Sequence, residues 1–212
     1  MESTLQRIQR AEEEKDWAGV CDILEEAKPK DVEQLEPLTK HFLANRHWIV
    51  RASAVEMVGV LRLHQFAREV KLRLSDPNSD VRSYALMAYY DLLGARALPV
   101  IKEFAGVKDT RLRVTALVLL YVQTQDKETL ARLGRLLTRK RCRYDNRYVA
   151  LNEFDYYLDL KKHPEVVSLL ERILQSTPRS YGLAKDIRRV LRGERLNREA
   201  GGKRWKRGTD PI

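Results

Sequence analysis

The sequence predicts an all-α fold built from one helical unit stacked several times. Three observations predict it. Apolar residues recur at helical spacing over most of the chain, no stretch alternates in the strand pattern, and a short signature returns at a near-constant interval. The signature is an apolar residue, an arginine and, three residues after the arginine, an alanine. Val50-Arg51 with Ala54, Val81-Arg82 with Ala85 and Leu112-Arg113 with Ala116 stand 31 residues apart, Arg147 with Ala150 follows 34 residues on, and Ala184 another 34. Asp76 to Gly94 shows how one copy is made. Asp76-Pro77 opens a turn, and Asn78 or Ser79 caps the next helix by accepting from its free N–H groups. Val81, Ala85, Ala88, Tyr89 and Leu92 then form one apolar face, and Gly94 ends the helix.

The elements follow in order. A first helix runs from about Thr4 to Glu14, with Leu5, Ile8 and Ala11 on one stripe. Asp16 caps a second, Trp17 to Ala27, whose inner side is Trp17, Val20, Cys21 and Leu24, and Pro29 closes this pair, making residues 1–30 an N-terminal cap. Leu35, Leu38, Phe42 and Leu43 define a helix after Val32, and Trp48 to Leu63 is the first to carry the signature. Phe66, Val70, Leu72 and Leu74 mark the helix before Asp76; Leu98, Val100, Ile101 and Phe104 mark the one after Gly94, with Pro99 tolerated in its first turn. Asp109 or Thr110 caps the helix Arg111 to Gln125, and Leu130, Leu133, Leu136 and Leu137 form the next. Beyond a basic loop come Arg147 to Leu160, Pro164 to Gln175 and Pro178 to Leu191. This gives six helix pairs in one domain, 1–192 (repeats from 31), followed by a basic tail, 193–212, with no apolar core of its own. The interval lengthens from 31 to 34 after Ala116, which places an insertion in the loop around 139–145.

DPNSDVRSYALMAYYDLLGARALPVIKEF, residues 76–104, combines D-P, V-R, an alanine three residues on, L-G, and A-x-P at the next helix. This stretch resembles the HEAT repeat, in particular the short HEAT-like repeats of the phycobilin-lyase type. Residues 76–107 and 108–140 match well, the copy at Arg51 lacks D-P, those at Arg147 and Tyr181 are degenerate, and the resemblance spans about 34–191. It implies a right-handed α-solenoid of about six antiparallel helix pairs, with a concave face that in the family mostly holds partners. The resemblance is specific for a fold and says less about activity.

At 212 residues and 43% hydrophobic composition the chain is long and apolar enough to bury a continuous core. No run reaches the roughly 18 apolar residues of a membrane span. The N-terminal MESTLQRIQRAEEEKD is acidic and lacks the apolar stretch of a signal peptide. Cys21 and Cys142 lie far apart without a C-x-x-C, and suggest neither a disulfide framework nor a zinc site. The expectation is a cytoplasmic protein. The net charge of +10 is uneven: residues 1–37 hold 5 basic and 11 acidic side chains (−6), residues 178–212 hold 11 and 4 (+7), and the middle supplies +9. Such asymmetry bears on partners rather than on fold.

Four sets of residues are candidates for function. The ladder Arg51, Arg82, Arg113 and Arg147 is the most regular polar feature; its first reading is structural, each planar fork bonding turn carbonyls or an acidic neighbour. Taking the repeated alanine as the core direction at 100° per residue, the positions one, five and eight after the arginine point away from it. In the family this side lines the concave surface. Here it presents Met87, Tyr90, Val118, Tyr121, Tyr148, Asn152 and Asp155, an apolar and aromatic set that reads as a partner-binding groove. A basic patch comprises Arg132, Arg135, Arg139, Lys140, Arg141, Arg143 and Arg147, interleaved with Tyr144 and Tyr148, which suits a phosphate backbone or an acidic protein. The tail carries Lys203, Arg204, Trp205, Lys206 and Arg207.

Signals for catalysis are thin. His41, His47, His64 and His163 are scattered, no Gly-rich phosphate loop or activated nucleophile is present, and no cofactor or metal is called for. Glu153, Asp155 and Asp159 share a helix and form an acidic pocket only if neighbouring arginines leave them unpaired. The leading expectation is therefore a non-enzymatic HEAT-like adaptor holding a protein partner in its groove, such as an assembly factor or a toxin-neutralising protein. The alternative is nucleic-acid binding, up to a HEAT-like DNA alkylpurine glycosylase, although Trp17, Trp48 and Trp205 do not form the tryptophan and aspartate constellation of those enzymes. A bilin lyase subunit is a third reading, resting on repeat type alone.

Overall fold

The computed structural model describes residues 3–178 and 181–196. Within them the chain is all helical, with twelve α-helices joined by turns and short 3₁₀ segments and no strand. They are α1 (Thr4–Glu13), α2 (Trp17–Glu26), α3 (Val32–Leu43), α4 (Trp48–Val60), α5 (Ala67–Arg73), α6 (Ser79–Leu93), α7 (Leu98–Phe104), α8 (Thr110–Thr124), α9 (Lys127–Leu137), α10 (Tyr144–Tyr157), α11 (Pro164–Gln175) and α12 (Gly182–Leu191). No helix among the described residues is long and apolar enough to cross a membrane.

Local chemistry starts and stops these helices. Ser3 and Gln6 form a reciprocal capping box at α1, each side chain accepting from the other's backbone N–H. Asp16 accepts from the Gly19 amide, Asn78 from those of Asp80 and Val81, Asp109 from Arg111 and Leu112, and Asp126 from Glu128 and Thr129. Gly94 closes α6 at φ 55° and ψ −131°, a backbone state that side chains resist. α4 stops at Val60, short of the expected Leu63, because Arg62 turns left-handed at φ 53°. α10 begins at Tyr144, three residues before the signature arginine, and α12 at Gly182 rather than Pro178. The early start of α10 brings a regularity into view. Arg51, Arg82, Arg113 and Arg147 are each the fourth residue of their helix.

The chain divides between Pro99 and Val100 into two compact units, with α7 crossing the division, where the sequence suggested one continuous domain. In the first unit α4 packs between α2 and α6, while α1, α3 and α5 pack against one another in order and against α2, α4 and α6. α4 is consequently buried from Val50 to Gly59. It approaches α6 closely at Gly59, where an added Cβ would stand 2.8 Å from the Ala88 Cα. In the second unit α10 packs against α8, α11 and α12, and α9 against α8 and α11. Ala54, Ala85, Ala116, Ala150 and Ala184 are all fully buried.

The signature arginines tie helices to the turns before them. Arg51 donates Nε and Nη2 to the two carboxylate oxygens of Asp76, at 2.7 and 2.8 Å, and Nη1 to the carbonyls of Asn45 and Arg46. Arg82 donates Nη1 to the carbonyls of Asp76 and Pro77. Arg147 donates to the carbonyls of Leu137, Arg139 and Ser176 and to Thr177 Oγ1. The acceptors lie five and six residues before Arg51 and Arg82 but eight and ten before Arg147, so the added residues of the longer repeat fall in the turn the arginine spans.

Asp76 is where this network is most exposed to test. Burial pushes its carboxyl up, but the bonds from Arg51 and the Asn78 amide, with the charges of Arg51 and Arg73, outweigh that and hold it below its ordinary value. Asp76→Ala leaves Arg51 buried without its counter-charge and lowers stability by about 3–5 kcal/mol at neutral pH. A depressed carboxyl contributes stability above its unfolded value of about 3.9 and loses it as pH falls through the folded one. Denaturant unfolding followed by circular dichroism should therefore show a gap between native and variant proteins at pH 7 that closes below about pH 4.

Candidate functional site: an arginine cleft

The outward positions of the signature helices do not form an open groove. Met87, Val118, Tyr121, Asn152 and Asp155 are 4% exposed or less, and Tyr90 and Tyr148 are half-buried. In the second unit the chain itself occupies their polar atoms. The Tyr121 hydroxyl donates to Glu165 on α11, and its ring stands edge-on to Phe154 at 6.1 Å. The Tyr148 hydroxyl donates to Asp186 on α12. After α12 the chain folds back on α10, where the Leu196 amide donates to the Asp155 carboxylate at 3.0 Å and Arg195 lies 3.6 Å from the same group. The physical reason is neighbour number. A direction taken from one core residue assumes a helix with one buried side, whereas α4 and α10 are flanked on several sides.

The acidic trio does not gather either. Glu153 is fully buried, and Asp159 is exposed and 3.7 Å from Lys162. Asp155 and Asp159 share a cleft of about 220 Å³, but its three carboxylates, completed by Glu194, meet three cations, Lys161, Arg192 and Arg195. Three of the four histidines are engaged one by one: His41 stands 3.0 Å from Glu12, His47 stacks on Trp17 at 4.4 Å, and His163 lies 3.5 Å from Glu165. No group of three metal-ligating side chains occurs among the described residues. Lys203, Arg204, Trp205, Lys206 and Arg207 lie outside them.

What the second unit does assemble is a cationic cleft. α9 carries Arg132, Arg135 and Leu136, and Arg139 follows its last turn. α8 brings Arg113 and Leu117, four residues apart and hence on one face, and the turn after α7 brings Ala105 and Gly106. These eight residues line a cleft of about 270 Å³. Arg132 is held in place by donating Nη2 to the Ala105 carbonyl at 3.2 Å. Arg135 pairs with Glu128 at 2.9 Å, but both side chains are more than half exposed, so water screens the pair. Arg139 is exposed, and its guanidinium makes no ion pair among the described residues. Arg113 donates Nη2 only to Thr110 Oγ1, at 3.5 Å, and its buried Nε has no hydrogen-bond partner among the described residues. Four guanidinium groups thus face one solvated carboxylate. Like charges at close range raise one another's energy, and an anion placed among them relieves it.

The membership of the patch differs from the sequence reading in two places. Arg147 does not belong to it, being 7% exposed with its fork engaged on the carbonyls of Leu137, Arg139 and Ser176. Arg113, read only as a rung of the ladder, does belong. Pairing facing stripes would have found it: Arg113 and Leu117 on one helix, and Arg132, Arg135, Leu136 and Arg139 on its partner, share the spacing of two surfaces in contact. Lys140 and Arg141 are exposed beside the cleft-lining Arg139, and Arg143 pairs with Asp145 at 3.2 Å.

Tyr121 separates a core role from a groove role. Burial, then the bond and charge of Glu165, push its hydroxyl well above the ordinary tyrosine value, while the bond from Tyr121 holds the Glu165 carboxyl below its own. Tyr121→Ala empties a fully buried ring site and should cost about 3–5 kcal/mol in chemical unfolding. An unfolding midpoint within error of the native protein would return Tyr121 to the surface.

Compared with known proteins, the chain matches no family model, no curated protein and no solved structure.

Proposed function

We propose that the chain is a non-enzymatic helical-repeat module, a solenoid of the HEAT-like type its sequence resembles, that binds nucleic acid through the phosphate backbone. The observation that carries this reading is the arginine cleft, in which Arg113, Arg132, Arg135 and Arg139 face a single carboxylate, Glu128. From Lys127 to Arg147 the chain holds 8 basic and 2 acidic residues, and Arg139, Lys140 and Arg141 are exposed. The stripe Arg132, Arg135, Arg139 extends over about 10 Å at 1.5 Å per residue before the basic loop continues it. A track of that length suits a ligand whose negative charge is continuous rather than one carboxylate at a time. Guanidinium forks match phosphate oxygens bidentately, and contacts of this kind position a nucleic acid without reading its sequence. The adaptor reading loses its support where Tyr121, Tyr148 and Asp155 bond to their own chain. A cytoplasmic setting goes with the proposal.

Binding should be steeply salt-dependent. Fluorescence anisotropy with a duplex of arbitrary sequence, between roughly 50 and 200 mM salt, should give a log–log slope near −0.9 for each phosphate neutralised. Arg139→Glu combined with Arg141→Glu should weaken binding uniformly across sequences and flatten that slope by about 2. A protein that leaves duplex and single strand unshifted at low salt, while capturing an acidic protein, would replace the proposal with the acidic-partner reading.

A further inference from the structure

The four signature arginines occupy the same register, yet one of them behaves differently. Arg51 engages a carboxylate and two carbonyls, Arg82 two carbonyls, and Arg147 three carbonyls and a hydroxyl. Arg113, fourth residue of α8 as the others are of their helices, has one long bond to Thr110 Oγ1 and a buried Nε with no partner among the described residues. A buried donor without an acceptor is costly, and a guanidinium cannot discharge itself by losing a proton. The donor this side chain can offer is Nη1, which makes no hydrogen bond among the described residues, and it lines the cleft with Arg132, Arg135 and Arg139.

The surroundings specify the acceptor further. Arg132 is fixed by the Ala105 carbonyl, so its remaining donors are preorganised. Gly106 has open space where a Cβ would stand, which leaves the backbone there accessible. The apolar part of the lining, Ala105, Leu117 and Leu136, gives a cleft of about 270 Å³ more room than a bare oxyanion fills. A carboxylate offers two oxygens and one charge, and a phosphodiester two free oxygens and one charge. A phosphate monoester offers three oxygens and close to two charges, which meets three forks at once.

We infer that the cleft is a discrete site for one phosphate monoester, anchored by Arg113 and Arg132, with Arg135 and Arg139 completing the positive field. The inference rests on the reading of the arginine cleft as the ligand-binding face, and adds to the backbone track a seat for a terminal phosphate. The same chemistry is presented by the phosphorylated end of a nucleic acid and by a free phosphate or small phosphorylated molecule.

Isothermal titration of the full chain at fixed ionic strength separates these. Inorganic phosphate is expected to bind with one site per chain, and acetate at the same concentration is not. Arg113→Gln should weaken phosphate binding by about tenfold or more, a loss of one charge-assisted fork. Arg113→Lys keeps the charge and loses the fork, so it should also weaken binding while leaving the unfolding midpoint near native; it serves if the glutamine variant fails to fold. A 5′-phosphorylated oligonucleotide that binds several-fold more tightly than its unphosphorylated twin, an advantage lost in Arg113→Lys, assigns the site to a nucleic-acid end. Phosphate binding without that advantage supports the site and assigns it to a free phosphorylated molecule. Phosphate binding with no duplex binding removes the nucleic-acid proposal and leaves the site standing. Duplex binding with no phosphate binding, equal binding of acetate, or native phosphate affinity in both Arg113 variants overturns it.

Discussion

A guanidinium at the fourth position of a helix, buried at Arg51 and Arg147 and half-buried at Arg82, is the interaction on which the signature helices depend. The turn that delivers the chain into such a helix carries carbonyls that need a donor, and the arginine of the helix supplies it. Arg51, Arg82 and Arg147 each reach back to two of these carbonyls, so the turn and the helix it enters are fixed as one body. Arginine suits the position because its five donors lie in one plane, enough for two carbonyls and a carboxylate together. Lysine would bring a point charge and a more strongly hydrated head. The alanine three residues on is the second half of the device. Fully buried at every copy, it lets the neighbouring helix approach closely.

This division of labour explains what the sequence disclosed and what it withheld. Caps at Asp16, Asn78 and Asp109 were legible because each is settled within three or four residues. The register of Ala54, Ala85, Ala116 and Ala150 was legible because a period is a property of the chain alone. The start of α10 was not, because no capping side chain marks it and Arg147 stands one turn inside the helix. The division between Pro99 and Val100 leaves no trace in the signature either: the interval between Arg82 and Arg113 is the same 31 residues as the interval before it.

The misread groove has a different cause. Met87, Val118 and Tyr121 were expected to face outward because they lie opposite the repeated alanine. Burial, however, counts every neighbour of a helix, not only the one that meets its alanine. α4 is buried from Val50 to Gly59 and α8 from Val114 to Tyr121, on every side of each helix. Arg132 and Arg135 on α9 and Arg139 just after it are exposed, and their stripe is visible in the spacing alone.

Membership of the cleft turned on a distinction that residue type and register together do not make. Arg113 and Arg147 are the same residue at the same position of equivalent helices. One is sealed by the carbonyls of Leu137, Arg139 and Ser176, and the other is left with a hydroxyl at 3.5 Å. The difference lies in the turn preceding each helix, where α9 ends in a loop that offers Leu137 and Arg139 to Arg147. By engaging that loop from below, Arg147 holds the backbone of Arg139, whose own side chain points its charge to the cleft lined by Arg113. A structural arginine thus fixes the frame from which a cleft-lining arginine is presented. Removing the first would displace the second, whereas removing the second leaves the frame intact. That asymmetry separates an arginine that holds the fold from one at the same helical position that the fold does not use in this way.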